Sequence, residues 1–185
     1  MSLGVTLASI KVIDELAMHQ LGLNLARLLD AGDMVLLTGP LGAGKTTMTR
    51  GVGEGLGVIG TVSSPTFVIA RTHKREASPV ALVHVDAYRL GSPAEFDDLD
   101  IDLARSIVLV EWGRGFAEGL TTNFLDIEIE RDHTGESEVR QVTVLGFGER
   151  FESADARERF AALATGIDQS ADPGQGANPR SEAAE

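Results

Sequence analysis

The chain has 185 residues, 43% hydrophobic and 5% aromatic, with a formal net charge of −12 from 16 basic and 28 acidic side chains. Such a length buries one good core, and the absence of cysteine excludes disulfides, thiolate zinc sites and cysteine nucleophiles. The acidity offers no clustered cations to nucleic-acid phosphates, so direct DNA binding is not expected and any RNA would be held by a partner.

The first residues lack a basic stretch ahead of an apolar one, and no apolar run approaches membrane-spanning length. A cytoplasmic protein without a membrane association is the expectation. Leu16, Ala17, Leu21, Leu25, Leu28 and Leu29 recur at helical spacing, with Gly32 as a stop, which predicts a first helix near residues 14–30. Residues 34–38, Met-Val-Leu-Leu-Thr, read as a short buried strand.

Gly39-Pro40-Leu41-Gly42-Ala43-Gly44-Lys45-Thr46 follows at once and fits G-x-x-x-x-G-K-[ST]. Met48, Val52 and Leu56 then keep helical spacing. Strand, glycine-rich turn and helix N-terminus are the setting a phosphate-binding loop requires, because backbone N–H groups and the helix dipole converge there on an anion. Lys45 is expected to reach the β- and γ-phosphates, and the Thr46 hydroxyl to hold Mg2+. Gly51, Gly53 and Gly55 each cost up to about 1 kcal/mol in a helix interior, so the helix is expected to be short, tightly packed, or both.

Ser63-Ser64-Pro65-Thr66-Phe67 comes next. Nucleotide switches often place a Thr here, and a proline-ordered turn is the alternative. Residues 67–71 and 80–85 read as strands joined as a hairpin, and Ser92-Pro93-Ala94-Glu95 carries a helix-start signature. Residues 107–110 read as a buried strand, while 124–130 and 139–145 alternate like half-exposed strands. Residues 153–163 suggest a short helix, and 169–185 have almost nothing to bury and are expected to be disordered. The domain expectation is a phosphate-loop ATPase domain over 1–150, then a short helix and disordered acidic tail over 151–185. The fold expected is α/β, P-loop NTPase-like, with a mixed, mostly parallel sheet flanked by helices.

A phosphate-loop ATPase also needs a carboxylate at the end of a neighbouring strand. Asp86 ends one candidate strand and Glu111 another. Both would face the nucleotide if the strands are parallel, since ligands sit beyond strand carboxyl ends. A structural pairing with Arg89 or Arg114 is the alternative. Asp98, Asp100 and Asp102 have calcium-loop spacing, but Leu103 stands where Gly is required, so an exposed acidic patch is the simpler reading. The histidines show no metal-ligand spacing; His84 shares a strand face with Asp86 and reads as hydrogen-bonded structure. No guanine-reading motif is present, which points to ATP.

In order, Leu41-Gly42-Ala43-Gly44-Lys45-Thr46-Thr47 with Arg50-Gly51, Ser64-Pro65-Thr66-Phe67, His84-Val85-Asp86-Ala87-Tyr88-Arg89-Leu90 and Glu111-Trp112 resemble the TsaE family, also called YjeE, over roughly residues 14–145. These are small bacterial ATPases of tRNA threonylcarbamoyladenosine modification. The resemblance implies phosphate binding by the 39–47 loop, with Lys45 and Asp86 serving catalysis. It implies Thr46 and Glu111 as Mg2+ ligands, Thr66 in a switch segment and Trp112 on the wall beside the metal carboxylate. It further implies a partner complex, TsaB with TsaD, that transfers the threonylcarbamoyl group, so that tRNA is met indirectly. Pro40, Gly113 and Met18 depart from the usual Asp, Pro and Thr. Rival readings of the same loop are a small-molecule kinase and a non-hydrolytic, ATP-gated interaction module.

Overall fold

The computed structural model describes residues 4–65, 67–131 and 137–165. In chain order the elements are β1 (Val5–Val12), α1 (Glu15–Ala26), β2 (Met34–Thr38), α2 (Lys45–Gly55), β3 (Ala70–His73), β4 (Ala81–Asp86) and α3 (Pro93–Asp97). They continue with β5 (Ser106–Glu111), β6 (Phe124–Arg131), β7 (Arg140–Phe147), α4 (Glu149–Glu152) and α5 (Ala154–Ala161). All seven strands join one sheet in the order β1-β7-β6-β2-β5-β4-β3. The central four, β6, β2, β5 and β4, run parallel, while β7, β1 and β3 add antiparallel at the two edges.

Strand alternation divides the core. Leu37, Leu82, Ile107 and Leu109 point to the face covered by α1, α2 and α5. Leu36, Val83, Val85, Val108 and Val110 point to the opposite face, where Phe96 of α3 packs. This is the expected α/β fold with a mixed sheet between helices. No helix among the described residues is long and apolar enough to cross a membrane.

The helices obey local chemistry. Asp14 caps α1 by accepting from Ala17 N at 2.7 Å, and Ser92 and Ser153 cap α3 and α5 likewise. Helix α1 ends at Ala26, a turn before the expected stop near residue 30. The chain needs residues 27–33 to reach the sheet: Gly32 N donates to Ser106 O at 2.9 Å, with a positive φ. Helix α2 is both short and tight. A Cβ on Gly51 would stand 2.1 Å from His19 O, and one on Gly22 would stand 2.3 Å from Met48 O, so α1 and α2 cross almost backbone to backbone.

Three further expectations are corrected. Strand β1 was absent from the sequence reading. It pairs with β7 through a register shift between Thr6 and Ala8, which breaks its apolar alternation in mid-strand. Strand β3 begins at Ala70 rather than residue 67, because Val68 N and Ile69 N both donate to Pro65 O at 2.8 Å and hold 67–69 in a turn; Phe67 is 87% exposed. The hairpin itself stands, with Ala70 opposite Val85. Strand β6 is not half-exposed: Phe124, Leu125, Asp126 and Ile127 are all buried, as its place between β7 and β2 requires.

The core continues beyond residue 150. Phe151, Phe160 and Leu163 belong to the same cluster as β1 and α1, and Phe151 meets Phe160 edge to face at 5.8 Å. Thr66 and residues 169–185 lie outside the described residues, and with them the switch and tail expectations.

Candidate functional site

Three parallel strands deliver the site. Leu37 of β2 and Asp86 of β4 both stand opposite Glu111 of β5, so the carboxyl ends of all three strands finish at one level. The chain leaves β2 at Thr38, turns through 39–44, and enters α2 at Lys45. Gly44 caps that helix with φ +110°, a conformation a side chain resists. Gly39, at φ +155°, sits so near the neighbouring strand that a Cβ would stand 2.4 Å from Ile129 O.

Lys45 is buried, and Nζ donates to Gly39 O at 2.8 Å and Pro40 O at 3.0 Å. The same ammonium lies 3.8 Å from the Trp112 ring centroid. Burial lowers its pKa from 10.5, against the opposing pull of Glu111 and Asp86. Thr46 Oγ1 donates to Glu111 Oε1 at 2.8 Å, and His84 Nε2 lies 2.9 Å from that same oxygen. Asp86, also buried, accepts from Tyr88 N at 3.1 Å. Trp112 adopts φ +60°, its N–H donates to Leu37 O at 3.2 Å, and its ring meets Tyr88 at 5.5 Å.

Lys45, Thr46, Asp86, Glu111 and Trp112 line a cleft of about 340 Å³. The loop and the start of α2 contribute Leu41, Gly42, Ala43, Gly44, Lys45, Thr46 and Thr47 to its lining, and Ser64, Asp86, Glu111 and Trp112 join them. Asp14, Glu15, Met18, Glu138 and Arg140 complete the lining. Gly39 is not on the cleft wall; it serves through its carbonyl. Thr47 Oγ1 faces Glu15 at 3.3 Å. Thus, of the residues expected at the site, only Gly39 stands back from the cleft and only Thr66 falls outside the description.

The donor set suits Mg2+. Thr46 and Glu111 bring two hard oxygen atoms together at a helix N-terminus, with Asp86 beside them in register. No group of three or more His, Cys, Asp or Glu among the described residues is arranged as a metal cage. Mg2+ ordinarily binds through one or two protein ligands and completes its shell with phosphate and water, so this sparse set fits it.

Sequence reasoning missed two relationships. His84 reaches Glu111 on the adjacent strand, a link invisible until β4 and β5 are known to be neighbours. Arg114, offered as a partner for the strand-end carboxylates, binds Asp126 (Nε to Oδ2, 2.8 Å) and Glu128 instead, while Arg89 lies over Phe67 at 5.4 Å. Asp126 also accepts from Thr38 Oγ1 at 3.0 Å, bracing the residue before the loop. Burial raises the Asp126 pKa against the lowering effect of Arg114 and Thr38. Asp98, Asp100 and Asp102 are exposed, as expected.

The chain is similar to known proteins. The family model described as "Threonylcarbamoyl adenosine biosynthesis protein TsaE" matches residues 12–142. A protein of Streptomyces coelicolor called tRNA threonylcarbamoyladenosine biosynthesis protein TsaE is 57% identical over 143 residues, covering 75% of this chain and 96% of that protein. A Bacillus subtilis protein of the same name is 40% identical over 124 residues, covering 65% of this chain and 74% of the relative. Among solved structures, Bacillus subtilis YdiB superposes with a TM-score of 0.68 at 28% identity, covering 86% of this chain and 97% of that one.

Proposed function

Because the chain belongs to the TsaE family of threonylcarbamoyl adenosine biosynthesis proteins, we propose that it is a Mg2+-dependent ATPase serving tRNA threonylcarbamoyladenosine formation. The observation that carries this reading is the meeting of Lys45, Thr46, Asp86 and Glu111 in one cleft at the ends of β2, β4 and β5. A buried ammonium, a glycine-rich turn at a helix N-terminus and a pair of carboxylates suit a triphosphate and its cation.

The residues divide the work by their chemistry. The amides of 42–46 and the N-terminus of α2 would receive the β-phosphate. Lys45 would exchange its two carbonyl partners for phosphate oxygens, moving from Gly39 and Pro40. Bound Mg2+ supplies neutralisation of the negative charge that builds up on the phosphate oxygens. Thr46 and Glu111 would hold that ion, and Asp86 would orient the attacking water or the ion's water shell. Trp112 shields Lys45 from solvent on one side.

The net charge of −12 speaks against direct tRNA contact. ATP turnover here would instead act on a partner complex of the TsaB–TsaD kind that holds the tRNA and performs the transfer. The test is phosphate release by wild type, Lys45→Ala and Asp86→Asn, alone and with that complex, beside tRNA modification in the same mixture. Loss of release and modification in both variants supports the reading. Full modification by an Asp86→Asn protein that binds ATP but does not cleave it would favour a gated module over an ATPase.

A further inference from the structure

His84 is fully buried, with Nε2 2.9 Å from Glu111 Oε1 and Nδ1 without a hydrogen-bond partner among the described residues. An ionised carboxylate only accepts, so in this pair Nε2 is the donor and Glu111 Oε1 the acceptor. The desolvation of Nδ1 is a cost that the bond from Nε2 to the buried Glu111 carboxylate has to offset. The position makes sense by what the ring touches. Glu111 Oε1 takes two donors, Thr46 Oγ1 from α2 and His84 Nε2 from β4. When Thr46 turns its hydroxyl oxygen towards a cation it gives up its bond to Glu111, and His84 is then the donor left to hold the carboxylate.

We infer that His84 is a positioning residue that fixes the Glu111 carboxylate for cation binding by donating from Nε2 to Oε1. The inference rests on the reading of Glu111 as a Mg2+ ligand and adds a residue to it. Outer partners of this type typically change metal affinity by about 10- to 100-fold when removed. Their effect falls on the ion and not on nucleotide contacts made by the loop amides and Lys45.

The test measures binding, not turnover. Nucleotide binding is followed with a fluorescent ATP analogue while Mg2+ is titrated, and again in EDTA, for wild type, His84→Phe, His84→Gln and His84→Asn. His84→Phe is expected to raise the half-saturating Mg2+ concentration about 10- to 100-fold, with the affinity in EDTA unchanged. His84→Gln, whose amide reaches the place of Nε2, is expected to stay close to wild type, and the shorter His84→Asn to resemble His84→Phe. Should His84→Phe not fold, the Gln and Asn variants decide between themselves. Equal Mg2+ dependence in wild type and in the Phe or Asn variants overturns the inference alone. A wild-type protein that binds no nucleotide at any Mg2+ concentration overturns the functional reading and this inference with it.

Discussion

The Lys45 ammonium stands 3.8 Å from the centroid of the Trp112 indole, so the loop's one charged donor rests against the side chain that follows the β5 carboxylate. Such a contact is worth about 0.5–2 kcal/mol, enough to hold Lys45 against the wall but weaker than bonds to a triphosphate.

Trp112 is the chain's single tryptophan, so its emission reports this contact without interference. Adding ATP with Mg2+ is expected to change its intensity or wavelength as the cation moves off the ring. Lys45→Ala is expected to change the emission of the free protein and to abolish the response. A trace that stays flat while dialysis shows ATP bound would contradict a moving Lys45.

Burial lowers the Lys45 pKa below 10.5, so the unfolded chain holds that proton more tightly than the fold does. The sign follows: Lys45 costs the fold stability at neutral pH, and the cost fades as pH rises towards 10.5. Lys45→Met is therefore expected to melt at a temperature equal to or above wild type at neutral pH while losing ATP binding. The difference should narrow in melting curves taken at alkaline pH. A gap that widens there would reverse the sign.

The backbone crossing of α1 and α2 predicts a sharp steric result. Gly51→Ala puts a methyl group 2.1 Å from His19 O, where only a helix shift gives relief. The expected loss is about 1–3 kcal/mol or more, read from urea unfolding. Gly119→Ala, whose Cβ would meet nothing within 4 Å, is the control and should leave the midpoint unchanged.

Phe160 of α5 is buried against Phe151 and the β1 face of the core. Phe160→Ala is expected to cost about 3–5 kcal/mol, in the range for emptying an aromatic site. A change well under that range would mean that the chain beyond residue 150 contributes little to the fold, contrary to its packing.

Much of the site was legible because its signals are local. Five successive residues make β2, the next eight carry the phosphate-loop motif, and each strand-end carboxylate closes its own apolar run. What the sequence hid depends on which strands are neighbours. The bond between His84 and Glu111 spans 27 positions, and it exists only because β4 lies parallel to β5. The Arg114 pairing with Asp126 arises because β6 lies beside β2 and brings Asp126 near Thr38. Strand β1 escaped because a bulge shifts its alternation by one residue, and β3 was placed three residues early because Phe67 and Val68 are apolar yet exposed.

A crystal structure with Mg2+ and a non-hydrolysable ATP analogue tests the central claim most directly. The account predicts the β- and γ-phosphates against the 42–46 amides, Lys45 Nζ moved from the Gly39 and Pro40 carbonyls onto phosphate, and the cation between Thr46 and Glu111. Phosphates bound elsewhere, or Lys45 still on those carbonyls beside a bound nucleotide, would contradict it.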